Sequence, residues 1–473
     1  ICSDYPDYLA ESAPQKPAAC FLRRRQIPPL DTSTVAYANP LYADRIRWKG
    51  DPEDWYDYRI PNLFEFGAEL SVETPVEIPA AASEKDAAVV TYDLGAQIVG
   101  WPVIDVEAPE GTIIEISLQE GHDPRKTHWL DTHLFRWIRY ICANGRRVFE
   151  TFEYDSVRYL QLHVRGNRDV VRVHSVGVRQ RRYRFGAELS VATGDKSLAR
   201  LFEACGNTVI NAVQETLVDC VGRERQQYAG DVSHEMPRFL ITAYDEYLHP
   251  RRYLRTYSEG VTSFGYFMDT WPGVDRTIRV PQRMLRLNNW GPILDHSVGF
   301  VFDSYNYYFH SGDLESLAEV YPAVCAFIEY LSGSLPYTDI FPVEGLGIPS
   351  VWMDHQAYQL QRHKQCAFNL YVVAMLRHAF APLADAIGEE GNAHGARMMA
   401  QRVLDATMKR FWSDDHGVYV ANLPWLVEED ETRMCDRSLA TSLLFDLCPG
   451  GKSRTSLDYL IEILSDTRRP TEV

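Results

Sequence analysis

The sequence predicts a β-rich half followed by an all-α half: an antiparallel β-sandwich, then a succession of helical hairpins. Three observations carry this. Segments between 86 and 185 are short, rich in β-branched residues and alternate apolar with polar. From about residue 195 the apolar spacing changes to three and four, the period of a helix with one buried stripe. The length, 473 residues, allows more than one core.

Taken in order, residues 1–85 hold several prolines and the aromatic run Asp54-Trp55-Tyr56-Asp57-Tyr58, and read as an irregular or partial β region. In 86–185, Val89-Val90-Thr91-Tyr92 is one β-branched run. Gly111 to Leu118 follows a Pro-Glu-Gly turn. Tyr159 to Val164 and Val170 to Val178 alternate at period two. An antiparallel β-sandwich packs such strands most simply. The heptapeptide Phe66 to Val72 recurs as Phe185 to Val191, without flanking similarity, and its second copy marks a junction.

Residues 186–473 read as a third, helical region. Leu198, Leu201, Phe202, Cys205, Val209, Ile210 and Val213 form one apolar stripe. Further helices are expected at 233–248, 250–264, 293–310, 313–332, 365–386, 390–412, 436–447 and 452–465. Gly312-Asp313 and Gly388 sit at their boundaries. Two long connections, 265–292 and 333–363, separate them, and long loops in compact domains are commonly functional.

Composition narrows the function. A net charge of −17 argues against nucleic acid or an anionic membrane as partner. No stretch reads as long and apolar enough to span a bilayer. Nine scattered cysteines with no C-x-x-C suggest neither a disulfide framework nor a metal site, and no cofactor motif is seen. Ten tryptophans and 27 tyrosines suit either a sugar site or a large core.

Chemistry concentrates in Asp219-Cys220-Val221-Gly222-Arg223-Glu224-Arg225-Gln226-Gln227-Tyr228-Ala229-Gly230-Asp231. Asp219, Glu224 and Asp231 are five and seven residues apart, so one helix would not put all three on one face. A loop leading into a helix could aim them into one cavity. Ser233 reads as an N-cap and Pro237 as a first-turn proline, which places Asp231 just ahead of a helix N-terminus. Clustered carboxylates beside arginine and an aromatic ring suit glycosidic bond hydrolysis: one acid protonates the leaving oxygen, and others hold hydroxyls. The same cluster also suits a surface ion-pair network.

This stretch resembles the signature of bacterial-type α-L-rhamnosidases, glycoside hydrolase family 78, which runs D-C-P-x-R-(D)-E-R-x-x-W-x-G-D. Asp219, Cys220, Arg223, Glu224, Arg225, Gly230 and Asp231 match; Val221 and Tyr228 replace a proline and a tryptophan. Tyr92 to Trp101 and Phe152 to Tyr159 resemble words of the β domain that precedes the catalytic domain in that family. The resemblance implies a β-sandwich accessory domain at 86–185 and, over 186–473, an (α/α)6 barrel of helical hairpins. About nine helices fall short of its twelve. It therefore implies a chain truncated at both ends, with the C-terminal part of the barrel missing.

The resemblance further implies cleavage of terminal α-L-rhamnosides with inversion, and a rhamnose-containing glycoside or oligosaccharide as partner. Glu224 would be the general acid, with Asp219 and Asp231 beside it. Arg223 and Tyr228 would bind substrate, as would Trp290, Trp352 and Asp354 in the two long loops and Asp295, which opens the next helix. Asp295 and Asp354 equally suit helix caps, and the tryptophans loop packing. The general base is expected beyond Val473, so this chain is expected to hydrolyse poorly or not at all. The departures at 221 and 228 leave open a six-hairpin glycosidase for another sugar. A non-catalytic carbohydrate-binding relative and a protein-binding helical scaffold are the remaining alternatives.

Overall fold

A computed structural model describes residues 24–465 except 52–53, 55–56, 132–135, 188–190, 263, 273–292, 345–350, 354–359 and 423–431. Trp290 and Asp354 lie outside these residues. The chain divides into two compact units: one takes in 28–185 and 189–225, the other 186–188 and 226–473 together with 1–27.

The first unit is antiparallel throughout. Its strands are β1 (Val35–Tyr37), β2 (Asn39–Trp48), β3 (Phe64–Glu69), β4 (Val76–Ile78), β5 (Asp86–Ala108), β6 (Ile113–Gln119), β7 (Trp137–Ile141), β8 (Gly145–Glu150), β9 (Asp155–Arg165) and β10 (Val171–Gln180). The long β5 serves two layers. Its first half pairs with β2 and β9, and β6 and β7 continue that layer. Its second half pairs with β8 and β10, and β10 also carries β1 and β4. The register against β9 shifts between Asp93 and Ile98, where Gly95 takes a positive φ of 78° that favours glycine.

Alternation then builds the core. Ala88, Val90 and Tyr92 from the first half of β5 meet Ile104, Val106 and Ala108 from the second, with Ile114, Ile116, Leu160, Leu162, Val173 and Val176. The opposite face of the first layer is covered as well: Ala87 and Val89 pack with Trp48, Phe64 and Trp129.

Two features go beyond the sequence expectation. Residues 28–85, expected as an irregular or partial β region, supply four strands to this sheet. Their partners are far away in sequence, as in the pairing of Ala43 with Val90, so local pattern did not place them. The helix α1 (Lys196–Ala212), expected as the first of the helical array, groups with the β unit. Asn207 and Asn211 each donate from Nδ2 to the carbonyl of Gln97, at 3.1 and 3.0 Å. Its expected apolar stripe is largely uncovered, with Leu198 and Leu201 exposed. Asp195 caps it through the N–H groups of Ser197 and Leu198.

The helical unit contains α2 (Ala229–Val232), α3 (Met236–Tyr244), α4 (Leu248–Ser258), α5 (Leu294–Ser311), α6 (Leu314–Ser334) and α7. The last runs Gln365–Met375, then a π-helical turn Leu376–Phe380, then Ala381–Ile387. α8 (Glu390–Phe411), α9 (Asp436–Leu444) and α10 (Ser453–Leu464) follow. Gly312 and Gly388 end their helices in the left-handed conformation, as expected. By length and composition Gln361–Ile387 could cross a membrane, contrary to the sequence reading. Here it is a core helix: α5, α8 and α9 pack against α7, and Phe368, Leu370, Val372, Met375 and Leu376 are fully buried.

Candidate active site

The first unit ends in the loop that carries the leading half of the motif. After α1 the chain makes a short bridge, Val213 with Leu217, and turns tightly over 220–225. The Arg225 N–H donates to the Cys220 carbonyl at 3.0 Å to close the turn, and Arg225 itself takes φ 57°. Such a conformation persists in a residue other than glycine only where its surroundings enforce it. The enforcement comes from the guanidinium. Arg225 Nε donates to Val221 O at 2.7 Å, Nη2 donates to Tyr154 O, and the group lies 4.1 Å from the Tyr154 ring centroid.

Nη2 of Arg225 also sits 3.6 Å from Asp155 Oδ2. The other oxygen of Asp155 accepts from Arg136 Nη2 at 2.8 Å, with both residues buried. Arg136 in turn explains Gly222, since a Cβ there would lie 2.6 Å from its Nη2. Neither Arg136 nor Asp155 reads from the sequence as a site residue; the fold brings them to the motif.

Inside this turn the acids meet. One carboxylate oxygen from each of Asp219 and Glu224 and the Cys220 sulfur lie within 4.8 Å of one another. Glu224 is buried, and its Oε2 accepts from Arg223 Nη2 at 3.0 Å. Burial first, then a shared hydrogen bond with Asp219 and the charge of that carboxylate, pushes Glu224 up to about 7; Arg223 pulls the other way. Glu224 therefore carries a proton near neutral pH, the condition for a general acid. The trio is compact enough to surround a cation. Burial pushes the Cys220 thiol up to about 11, however, and the thiolate is the metal-binding form.

The trailing half of the motif belongs to the helical unit, and the chain passes between units after Arg225. Gln227 and Tyr228 are zipped to 270–271. Trp271 N–H donates to Gln227 O at 3.3 Å, Gln227 Nε2 donates to Trp271 O at 2.7 Å, and Tyr228 bridges to Thr270. Tyr228 is buried, edge-on to His296 with ring centroids 6.0 Å apart. Gly230 lies against the same imidazole, and a Cβ there would meet His296 Cδ2 at 2.0 Å. Asp231 is exposed on α2, in its first turn, where the helix dipole favours a negative charge.

The expected N-cap at Ser233 is not found. Ser233 ends α2, and its hydroxyl fills the notch left by Gly299. His234 follows at φ 63°, its N–H donating to the buried Asp303 carboxylate at 2.8 Å. Only then does α3 begin, with Pro237 in its first turn as expected.

Asp295, in the first turn of α5, and Trp352, in a long loop, come together. Asp295 Oδ1 accepts the Trp352 N–H at 2.8 Å, and Oδ2 accepts that of Met353 at 2.7 Å, where Met353 has φ 49°. Lys364 Nζ donates to Trp352 O at 2.7 Å. Asp295 thus clamps the backbone beneath Trp352 and is neither a helix cap nor a free substrate ligand. Asp295→Ala leaves two N–H groups without this acceptor, at about 1–3 kcal/mol each. We expect a lower melting temperature; an unaltered one would show that this clamp does not hold the backbone at Trp352.

Comparison with known proteins accounts for both halves. Residues 188–469 match the family model of the bacterial alpha-L-rhamnosidase 6 hairpin glycosidase domain, and residues 83–179 that of the bacterial alpha-L-rhamnosidase concanavalin-like domain. A search of curated proteins finds no match. Among solved structures, a family 78 rhamnosidase of a Bacillus species superposes with TM-score 0.69 at 20% identity, over 86% of this chain and 41% of that one. A Klebsiella oxytoca rhamnosidase with rhamnose bound gives 0.68 at 17%, over 92% and 81%. An Aspergillus terreus α-L-rhamnosidase gives 0.62 at 15%, over 94% and 45%. The chain thus spans less than half the length of the Bacillus and Aspergillus proteins. Those likenesses speak for the fold. The match across the helical half and the junction goes further, and on it the chain belongs to the bacterial α-L-rhamnosidase six-hairpin glycosidase family.

Proposed function

We propose that this protein hydrolyses terminal α-L-rhamnosides with inversion, with Glu224 as the general acid. The observation that carries the reading is a buried glutamate, beside a second carboxylate, that holds its proton up to about pH 7. In the reaction the bond between the anomeric carbon and the glycosidic oxygen breaks. The Glu224 proton passes to that departing oxygen, and water adds to the anomeric carbon from the opposite face.

Asp219 lies beside the ring and steadies positive charge as it develops there. Asp231 binds hydroxyls from its exposed place on α2, and Arg223, half-exposed, directs hydrogen bonds to the sugar. Tyr228 supplies an apolar wall, and Trp352 lies on the loop that Asp295 holds. Inversion also needs a carboxylate about 6.5–9.5 Å from the acid to take the proton of the attacking water; we assign no residue to that role.

The test is a panel of aryl glycosides with product anomers read by NMR. We expect whatever turnover the chain shows to be highest on the α-L-rhamnoside, releasing the opposite anomer first. Preference for another sugar would favour the related glycosidase that Val221 and Tyr228 leave open. Binding of rhamnose without turnover, in a chain extended to the length of the Klebsiella protein, would favour a binding protein.

A further inference from the structure

We propose that Cys220 is a positioning residue for the acid: its S–H, donated to Asp219, biases the proton that the two carboxyls share toward Glu224. This rests on the reading of Glu224 as the proton donor. The geometry is specific. Cys220 Sγ lies 3.1 Å from Asp219 Oδ2 and 3.9 Å from Glu224 Oε2. The backbone N–H of Glu224 donates to the same sulfur at 3.4 Å. One thiol therefore touches both carboxylates' residues, as a donor to one and an acceptor from the other's backbone.

Two carboxyls that share a proton can hold it on either partner. A donor placed on Asp219 stabilises its ionised form and biases the proton toward Glu224. Among the described residues, Arg223 faces the trio through its bond to Glu224. Arg225 turns instead to Tyr154 and Asp155, and Arg136 to Asp155 and Glu120. Burial and the neighbouring charge of Asp219 keep the thiol protonated at neutral pH, so it remains a donor throughout the working range.

The test follows both ionisations directly, by carboxyl-carbon NMR across pH, in the native chain and in Cys220→Ala and Cys220→Ser, with Glu224→Gln identifying the Glu224 signal. In Cys220→Ala the step near pH 7 is expected to be shared between the two carboxyl carbons instead of resting mainly on Glu224. Turnover below pH 7 should fall with it, because a smaller fraction of the chain holds the proton on Glu224. Cys220→Ser keeps a donor and should restore both. Titrations in Cys220→Ala that overlay the native ones overturn the proposal, and leave the acid assignment to Glu224→Gln alone. If Cys220→Ala does not fold, the infrared S–H stretch of the native chain decides, read as the difference from Cys220→Ser. A band shifted by hydrogen bonding supports the proposal, and one at the position of a free thiol overturns it.

Discussion

Glu224→Gln is expected to slow hydrolysis of a sugar or alkyl rhamnoside by about 10²–10⁴-fold, the usual contribution of a positioned acid. The amide keeps the shape and cannot give a proton. The loss should shrink for a dinitrophenyl leaving group, whose oxygen departs without protonation; KM should change little for either. In the native chain the rate should fall as pH rises through about 7, where Glu224 loses its proton, and this limb should vanish in the variant. Equal losses for good and poor leaving groups would remove Glu224 from the role of acid.

The same substitution makes an opposite prediction about stability. Glu224 titrates near 7 in the folded chain and near 4.5 when unfolded. Its folded-state carboxyl is thus favoured below pH 4.5, and that contribution is lost as pH rises through about 7. The loss amounts to a few kcal/mol, about 3 at most. Glutamine does not ionise, so Glu224→Gln should melt higher than the native chain at pH 8 and close to it at pH 4. A gain at high pH with a loss of turnover marks a residue kept in an unfavourable state for its chemistry.

The sequence exposed the parts of this protein that are local. Helices from 236 onward could be read because each carries its own periodicity, and Gly312 and Gly388 announce their ends without help from elsewhere. The proximity of Asp219 and Glu224 was legible for the same reason, because a six-residue turn contains both. What was hidden depends on distant partners. β2 finds its place only against β5, some fifty residues on. The sequence Ser233-His234-Glu235-Met236-Pro237 has the letters of a helix start, yet Gly299 and Asp303, from another helix, make Ser233 an ending and delay the next helix. Gly222 falls at a variable place of the motif, and only Arg136, arriving from the edge of a sheet, shows why a side chain does not fit there.

That hidden anchor carries the other large expected effect. Asp155→Ala should lower stability by about 3–5 kcal/mol, because Arg136 would keep a buried charge with its principal partner gone. The melting temperature of the β unit should fall by on the order of 10 °C. Glu120, at 3.3 Å and more exposed, compensates little. Activity should suffer separately. Arg225 loses the carboxylate at 3.6 Å that helps hold its guanidinium against Tyr154, and the turn around Glu224 loosens with it. Paired replacement divides the two effects. Asp155→Leu with Arg136→Met removes both buried charges, and apolar substitutes for such a pair are often neutral for stability. The double variant should therefore regain most of the melting temperature while turnover stays low, since Arg225 is still unanchored. If Asp155→Ala alone melts with the native chain, the network does not hold the loop. If the double variant recovers turnover as well as stability, Asp155 serves the fold only, and the turn around Glu224 is held by the backbone contacts of Arg225 with Val221 and Tyr154.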